Sequence, residues 1–150
     1  MDKETARFNM VEQQIRTWEV LDPNVLDACE SVQRECFVPA AFEDLAFSDI
    51  EIELSCSQKM ITPKICARAA QALGVKKTDH ILEIGTGSGY MSALLSSLGS
   101  TVTSFEINET LADTARQNLQ RANIQNCTVN NSDGLQASHT MYDDVMLAAG

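Results

Sequence analysis

The glycine-rich run L-E-I-G-T-G-S-G at residues 82–89 has the clearest capacity for chemistry in this sequence. It follows a predicted strand and opens a predicted helix. Glycine permits positive φ, and a helix N-terminus offers unpaired N–H groups and a positive dipole. We therefore expect an anionic or zwitterionic ligand to lie against this turn. Its candidate binding residues are Gly85, Thr86, Gly87, Ser88 and Gly89.

The spacing of these glycines narrows the class of ligand. Dinucleotide-binding turns place a third glycine at the sixth position of G-x-G-x-x-G, where this sequence has Tyr90. Glu83 precedes the first glycine, and its carboxylate could accept a hydrogen bond from an α-amino group, directly or through water. The same carboxylate would repel a diphosphate. The pattern favours an aminoacyl-bearing nucleoside such as S-adenosylmethionine.

Two further candidate anchors follow the next two predicted strands. Glu106, with Ile107 after it, ends the second strand, where a carboxylate can take both ribose hydroxyls. Asp133 follows the third strand and could accept from an adenine amino group, while Gly134 allows close packing. Singly, Glu106 could be a helix-capping residue and Asp133–Gly134 a plain turn. Three such anchors on successive strand ends favour a cofactor site.

The elements that position these residues alternate between strand and helix from residue 80 onward. Because helical crossovers join consecutive strands, the pattern predicts a parallel sheet with right-handed connections. The predicted strands are His80–Ile84, Thr101–Glu106, Cys127–Asn131 and Asp144–Ala148, and the predicted helices are Ser88–Leu98 and Glu109–Ala122.

Residues 1–62 are predicted to form an accessory layer before the βα units of residues 63–150, within a single domain. This layer contains a helix over residues 3–18, a second helix opened by Asp22–Pro23, and a short half-buried strand over Ile50–Leu54. A third helix opens at Thr62–Pro63 and ends at Gly74. The apolar faces of the helices are assigned to Phe8, Val11, Ile15 and Trp18, to Val25, Cys29 and Val32, and to Ile65, Cys66, Ala69 and Leu73.

Composition restricts the classes of partner and compartment. The 21 acidic and 11 basic residues give a formal charge of −10, which disfavours a nucleic-acid partner. The 5 cysteines contain no C-x-x-C pair, so neither a disulfide framework nor a metal site is expected. No apolar run approaches the length of a membrane span. A soluble cytoplasmic protein with no membrane partner is therefore predicted.

Four segments resemble the protein-L-isoaspartate O-methyltransferase family: M-V-E-Q-Q-I-R at 10–16, E-C-F-V-P at 35–39, L-A-F-S-D at 45–49 and L-E-I-G-T-G-S-G-Y at 82–90. The resemblance implies an α/β Rossmann-like fold, with a parallel sheet, helices on both faces and an N-terminal helical layer. It also implies an S-adenosylmethionine-dependent O-methyltransferase that forms S-adenosylhomocysteine without a metal. Its expected partner would be a damaged protein or peptide, methylated on the α-carboxyl of an isoaspartyl residue.

The sequence departs from the family pattern in two places. Ser57–Pro63 stands at the family loop G-Q-x-I-S-Q-P, so Ile61 occupies the place of the active-site serine. The neighbouring hydroxyl of Thr62 is the candidate catalytic replacement, although its place before Pro63 favours a helix cap. The sequence also ends after the fourth predicted strand, so we expect missing C-terminal strands and a homo-oligomer or partner chain covering the sheet. The alternative functions are a non-catalytic cofactor-binding or interaction module and a small-molecule methyltransferase.

Overall fold

A parallel four-stranded sheet forms the centre of the structure, a computed structural model that describes residues 2–136 and 141–148. Its strands are β3 (His80–Ile84), β4 (Thr101–Phe105), β5 (Cys127–Asn130) and β6 (Asp144–Leu147), in the order β5-β4-β3-β6. The predicted parallel sheet is confirmed. Three of its strands end one residue earlier than expected.

Helices α4 (Tyr90–Leu98) and α5 (Glu109–Arg121) pack on one face of this sheet. The strand register places Glu83 and its neighbour Ser104 on that face, and Ile84 and Phe105 on the other. On the second face, the described residues supply one 3₁₀ turn, Gly134–Gln136, which lies against β3.

The N-terminal segment is helical from Lys3 to Trp18, as predicted, but not uniformly so. Helix α1 (Lys3–Met10) continues into a wider π turn over Val11–Ile15 and then a 3₁₀ turn over Arg16–Trp18. Val11 and Ile15 are fully buried, whereas Phe8 and Trp18 are 57% and 45% exposed, so their predicted burial was wrong. The π turn explains the exposure of Trp18, because it shifts the angular spacing of the residues that follow it.

Helix α2 (Pro23–Ser31) begins as predicted, because Asp22 accepts a hydrogen bond from Asn24 N–H and proline occupies the first turn. The predicted strand over Ile50–Leu54 is reduced to β1 (Ile52–Glu53). Among the described residues it pairs with β2 (Lys59–Met60), forming a two-residue antiparallel pair. Because β2 has two residues, the paired length of β1 is also two residues. The three predicted core residues of α2, namely Val25, Cys29 and Val32, are buried.

Helix α3 (Pro63–Leu73) ends at Gly74 in the predicted left-handed conformation. Thr62 occupies the N-cap position but its hydroxyl makes no capping hydrogen bond, so the side-chain part of that prediction was wrong. Ile65 is 46% exposed instead of buried, because it lines a cavity described below, whereas Cys66 is buried as expected.

Three further expectations concern the whole chain. All five cysteines are free. Within the described residues, no helix is long and apolar enough to cross a membrane. The same residues contain no cluster of three or more histidine, cysteine or acidic side chains suited to a metal ion.

Candidate active site

The glycine loop joins the end of β3 to the start of α4, at the carboxyl edge of the sheet. Gly85, Gly87 and Gly89 have φ values of 97°, 57° and 92°, a region in which any other residue is strained. Gly85 N–H donates to the carbonyl of Phe105, which ties the loop to β4. A Cβ on Gly89 would lie 3.5 Å from the Cβ of Ala115, an ordinary van der Waals distance, so the positive φ and not the packing of α5 requires glycine here.

Glu106 lies beside this loop and is 7% exposed. Its Oε1 accepts from Gly87 N–H at 2.9 Å, and its Oε2 accepts from Asn108 N–H at 3.0 Å. Asn108 in turn caps α5 by accepting from Leu111 N–H. The carboxylate therefore fixes the shape of the glycine loop and the start of the next helix, while each of its oxygens retains a further lone pair.

A cavity of about 490 Å³ opens in front of Glu106. Six of the candidate cofactor residues line it: Gly85, Gly87, Glu106, Ile107, Asp133 and Gly134. Lys59 and Leu135 also line it, and the sequence reasoning missed both. The cavity lies at the carboxyl ends of neighbouring parallel strands, where open α/β sheets bind their ligands.

Asp133 and Gly134 form another part of the wall of this cavity. Asp133 Oδ1 accepts from Leu135 N–H at 3.0 Å, so the turn considered in the sequence reasoning is present. A Cβ on Gly134 would lie 2.7 Å from Phe105 Cβ and 2.9 Å from Ile84 Cγ1. Only glycine fits against the sheet at that position. The role of either residue in binding a cofactor stays a prediction.

Glu83 lies behind the loop, on the helix-covered face of the sheet, and is completely buried. Its Oε1 accepts from the hydroxyls of Ser92 and Ser104, and its Oε2 has no hydrogen-bond partner among the described residues. Ser104 also contacts the Thr86 hydroxyl, which must be the donor because the Ser104 proton points at Glu83. Burial raises the pKa of Glu83 to about 7, against the opposing effect of the two serines.

This arrangement makes Glu83 part of the support beneath the loop. Glu83 does not line the cavity, so the structure does not place its carboxylate in direct contact with a ligand bound there. The supporting residues Ser92 and Ser104 were missed by the sequence reasoning. Their signal is weak, since serine in a strand or helix is common.

A second cavity, of about 420 Å³, adjoins the first across the glycine loop. Gly85 and Gly87 line both cavities, and Thr86 and Ser88 line only the second of the two. Its remaining wall is mostly apolar and includes Met60, Ile61, Ile65, Tyr90 and Met146. Two spaces meeting at one loop suit a donor and an acceptor in a transfer reaction.

Ile61 and Thr62, the two candidate residues of the loop at 57–63, differ in position. Ile61 is 39% exposed and lines the second cavity. The Thr62 hydroxyl is buried, has no hydrogen-bond partner among the described residues, and does not reach the lining. The candidate catalytic hydroxyl is therefore not presented to either cavity.

Comparison with known proteins identifies the relatives of this chain. Residues 5–150 match the family model described as protein-L-isoaspartate(D-aspartate) O-methyltransferase. Proteins named protein-L-isoaspartate O-methyltransferase from Rhodopseudomonas palustris and Methanospirillum hungatei are 39% and 40% identical over 94% and 97% of the chain. The chain spans 66% and 68% of their lengths.

A solved structure extends the likeness to the fold. A Plasmodium falciparum protein assigned to the same family, in complex with S-adenosyl-L-homocysteine, superposes with a TM-score of 0.78 at 15% identity. The superposition covers 99% of this chain and 74% of that one. The architecture is therefore that of an α/β S-adenosylmethionine-dependent methyltransferase.

Proposed function

The chain belongs to the protein-L-isoaspartate(D-aspartate) O-methyltransferase family, and from this premise we propose that it methylates the α-carboxyl of isoaspartyl residues in damaged protein. The cofactor would occupy the cavity of Glu106, and the acceptor carboxyl would enter the adjoining apolar cavity. The observation that carries the proposal is that both cavities share Gly85 and Gly87.

The cofactor cavity fits S-adenosylmethionine by the chemistry of its walls. Glu106 is held by two backbone N–H groups, and the free lone pairs of its carboxylate are suited to ribose hydroxyls. Asp133 also lines this cavity, and its free carboxylate oxygen is suited to an adenine amino group. Gly85 and Gly87 let a ligand approach the main chain without meeting a side chain.

The residues of the chain need to supply position more than acid–base catalysis. S-adenosylmethionine provides an electrophilic methyl group, and a carboxylate acceptor is already ionised at neutral pH. Gly85 and Gly87 border both spaces, so donor and acceptor would meet beside the loop, whose shape is held by the hydrogen bonds of Gly87 to Glu106 and of Thr86 to Ser104. Orientation of this kind accounts for up to roughly 7–11 kcal/mol of barrier lowering in well-aligned reactions.

The two parts of the domain have separate roles in this proposal. Residues 63–150 supply most of the cofactor cavity, and residues 1–62 supply Leu54, Met60 and Ile61 to the acceptor cavity. The substrate-side role of the N-terminal layer rests on this lining. A reducing, cytoplasmic location is supported by the five free thiols.

Binding of S-adenosylhomocysteine tests the cofactor site directly. Calorimetric titration of the purified chain should give a micromolar dissociation constant, and Glu106→Ala should weaken it at least about tenfold through loss of a charge-assisted contact. Glu109→Ala is the matched control, because it removes the same charge from an exposed position three residues away. Equal binding by wild type and Glu106→Ala would contradict the ribose role.

The acceptor is tested by turnover. The chain should release S-adenosylhomocysteine with an isoaspartyl peptide and not with the same peptide containing normal aspartate. Cofactor binding without turnover on either peptide would favour the second candidate, a non-catalytic cofactor-binding module. The observation behind that candidate is that Ile61 presents no hydroxyl to the acceptor cavity and Thr62 is buried. Turnover on a metabolite mixture alone would instead favour a small-molecule methyltransferase.

Self-association is proposed from the second face of the sheet. Leu147 lies on that face by register and is 65% exposed, and Leu135 nearby is 66% exposed. A second copy or partner chain would cover the parts of these side chains that face away from the cofactor cavity, which both of them also line. Size-exclusion chromatography with light scattering should return a dimer or larger species, and a monomer at all concentrations would contradict the proposal.

A further inference from the structure

Arg34 is a completely buried cation without an acidic partner in the described part of the chain. It lies in the 3₁₀ turn Arg34–Phe37 of the N-terminal layer and is 0% exposed. Its Nε donates to the carbonyl of Ala46 at 2.7 Å and its Nη2 to the carbonyl of Ile61 at 3.1 Å. Nη1 has no hydrogen-bond partner there. A guanidinium keeps its charge at all ordinary pH values, so this buried charge lies among neutral groups, including two backbone carbonyls and an aromatic ring.

The position of this cation is beneath the acceptor cavity. Its guanidinium carbon lies 4.5 Å from the ring centroid of Tyr90, the residue that follows the glycine loop. Two of the residues that Arg34 contacts, Tyr90 and Ile61, line the acceptor cavity. Arg34 thus joins the N-terminal layer, the segment at 59–62 and the start of α4.

The positive charge of Arg34 acts electrostatically on two residues that line the acceptor cavity. Burial raises the pKa of the Cys66 thiol to about 11 and also raises the pKa of the Tyr90 hydroxyl, while the Arg34 guanidinium acts in the opposite direction on both groups. Cys66 and Tyr90 line the acceptor cavity. A positive charge that favours anionic forms of two lining groups also favours an anion placed between them.

Resting on the function proposed above, we propose that Arg34 is a positioning and specificity residue that holds Ile61 against the glycine loop and selects a carboxylate acceptor. The formal charge of the whole chain is −10, so a carboxylate is repelled at long range and needs a local positive group. Lys59 also lines the cavity but is exposed, where water screens its charge. Lys64 is paired with Asp49.

The test compares two peptides on the chain saturated with S-adenosylhomocysteine. One peptide carries isoaspartate with a free α-carboxylate, and the other carries the same residue as its uncharged α-carboxamide. Calorimetry should show that wild type binds the carboxylate at least about tenfold more tightly. Arg34→Gln should reduce that ratio to near one and leave the affinity for S-adenosylhomocysteine within about twofold, because Arg34 does not line the cofactor cavity.

Two further variants distinguish the effect of the Arg34 charge from the effect of its hydrogen bonds and from the charge of Lys59. Arg34→Lys should keep the preference for the carboxylate but lower the turnover rate, because the hydrogen bonds to Ala46 and Ile61 depend on the planar fork. Lys59→Met removes a unit charge from the exposed wall and should keep most of the ratio. A collapse of the ratio in Lys59→Met with its retention in Arg34→Gln would overturn the proposal.

The remaining outcomes are also decisive. Equal binding of the two peptides by wild type overturns the role of Arg34 even if Arg34→Gln does not fold, and leaves the proposed function intact. Failure of wild type to bind either peptide contradicts the proposed acceptor and, with it, this inference.

Discussion

Replacing Glu83 by glutamine should remove a pH dependence from the stability of the fold. Glu83 is fully buried, one of its oxygens accepts from Ser92 and Ser104, and the other has no partner in the described residues. Burial raises its pKa from an ordinary value of 4.5 to about 7 in the folded chain. The folded protein therefore holds a proton that the unfolded chain releases over this interval.

The sign of the effect follows from proton linkage. Because the folded state binds the proton more tightly, the stability associated with it is fully present below pH 4.5 and is lost as pH rises towards about 7. Each pH unit within this window lowers the free energy of unfolding by ~1.4 kcal/mol. The whole window accounts for about 3 kcal/mol, a large fraction of the stability of a small domain.

Urea unfolding of wild type and Glu83→Gln, followed by circular dichroism at several pH values between 5 and 8, measures this difference. The free energy of unfolding of wild type, relative to that of Glu83→Gln, should fall by about 3 kcal/mol across that range. The fixed cost of the unpaired amide in the variant cancels, since it is present at every pH. Glu51→Gln, at an exposed position, is the control and should show a constant difference. Parallel curves for wild type and Glu83→Gln would refute the reasoning.

Three other substitutions test the loops around the two cavities. Gly134→Ala should lower the free energy of unfolding by ~1–3 kcal/mol, because its Cβ would lie 2.7 Å from Phe105 Cβ, and an unchanged urea midpoint would contradict that contact. Ser57→Gly should raise the free energy of unfolding by ~1 kcal/mol, because Ser57 has a φ of 59°, which strains any residue with a Cβ. A loss of stability in this variant would contradict that strain. Ile61→Ser should raise turnover on an isoaspartyl peptide about fivefold by adding a hydroxyl to the acceptor cavity. Thr62→Val is its control and should leave turnover unchanged, since the Thr62 hydroxyl is buried away from the cavity.

The βα units could be predicted closely because their signals are local. Strand β3 has the predicted bounds, and α3 ends at a left-handed Gly74 as its sequence indicated. The errors lie where tertiary context decides. Trp18 is exposed because the helical segment widens into a π turn, which periodicity at 3.6 residues does not anticipate. Ile65 is exposed because it lines a cavity, and a cavity wall has the same composition as a core.

The candidate site was only partly predictable for a similar reason. Glu106 and Gly134 follow strand ends, so topology alone brings them to one edge of the sheet. Glu83 is different, because it lies within a strand that is buried on both faces and therefore shows no alternation of polar and apolar residues. Without alternation, the sequence does not tell which face a side chain occupies, so the position of Glu83 behind the loop could not be anticipated, and its role towards the cofactor stays a prediction.

Arg34 shows why the acceptor side was the hardest part to predict. Its hydrogen bonds connect it to carbonyls 12 and 27 residues away, and a backbone carbonyl carries no sequence signal. Similar long-range bonds cross between the two parts of the domain, since Arg121 donates to the carbonyl of Cys36 and Gln71 accepts from Leu21 N–H. The N-terminal layer and the βα units are thus tied together at several points. Because the acceptor cavity draws its wall from both, a change in how the layer packs should alter acceptor binding before it alters the cofactor cavity.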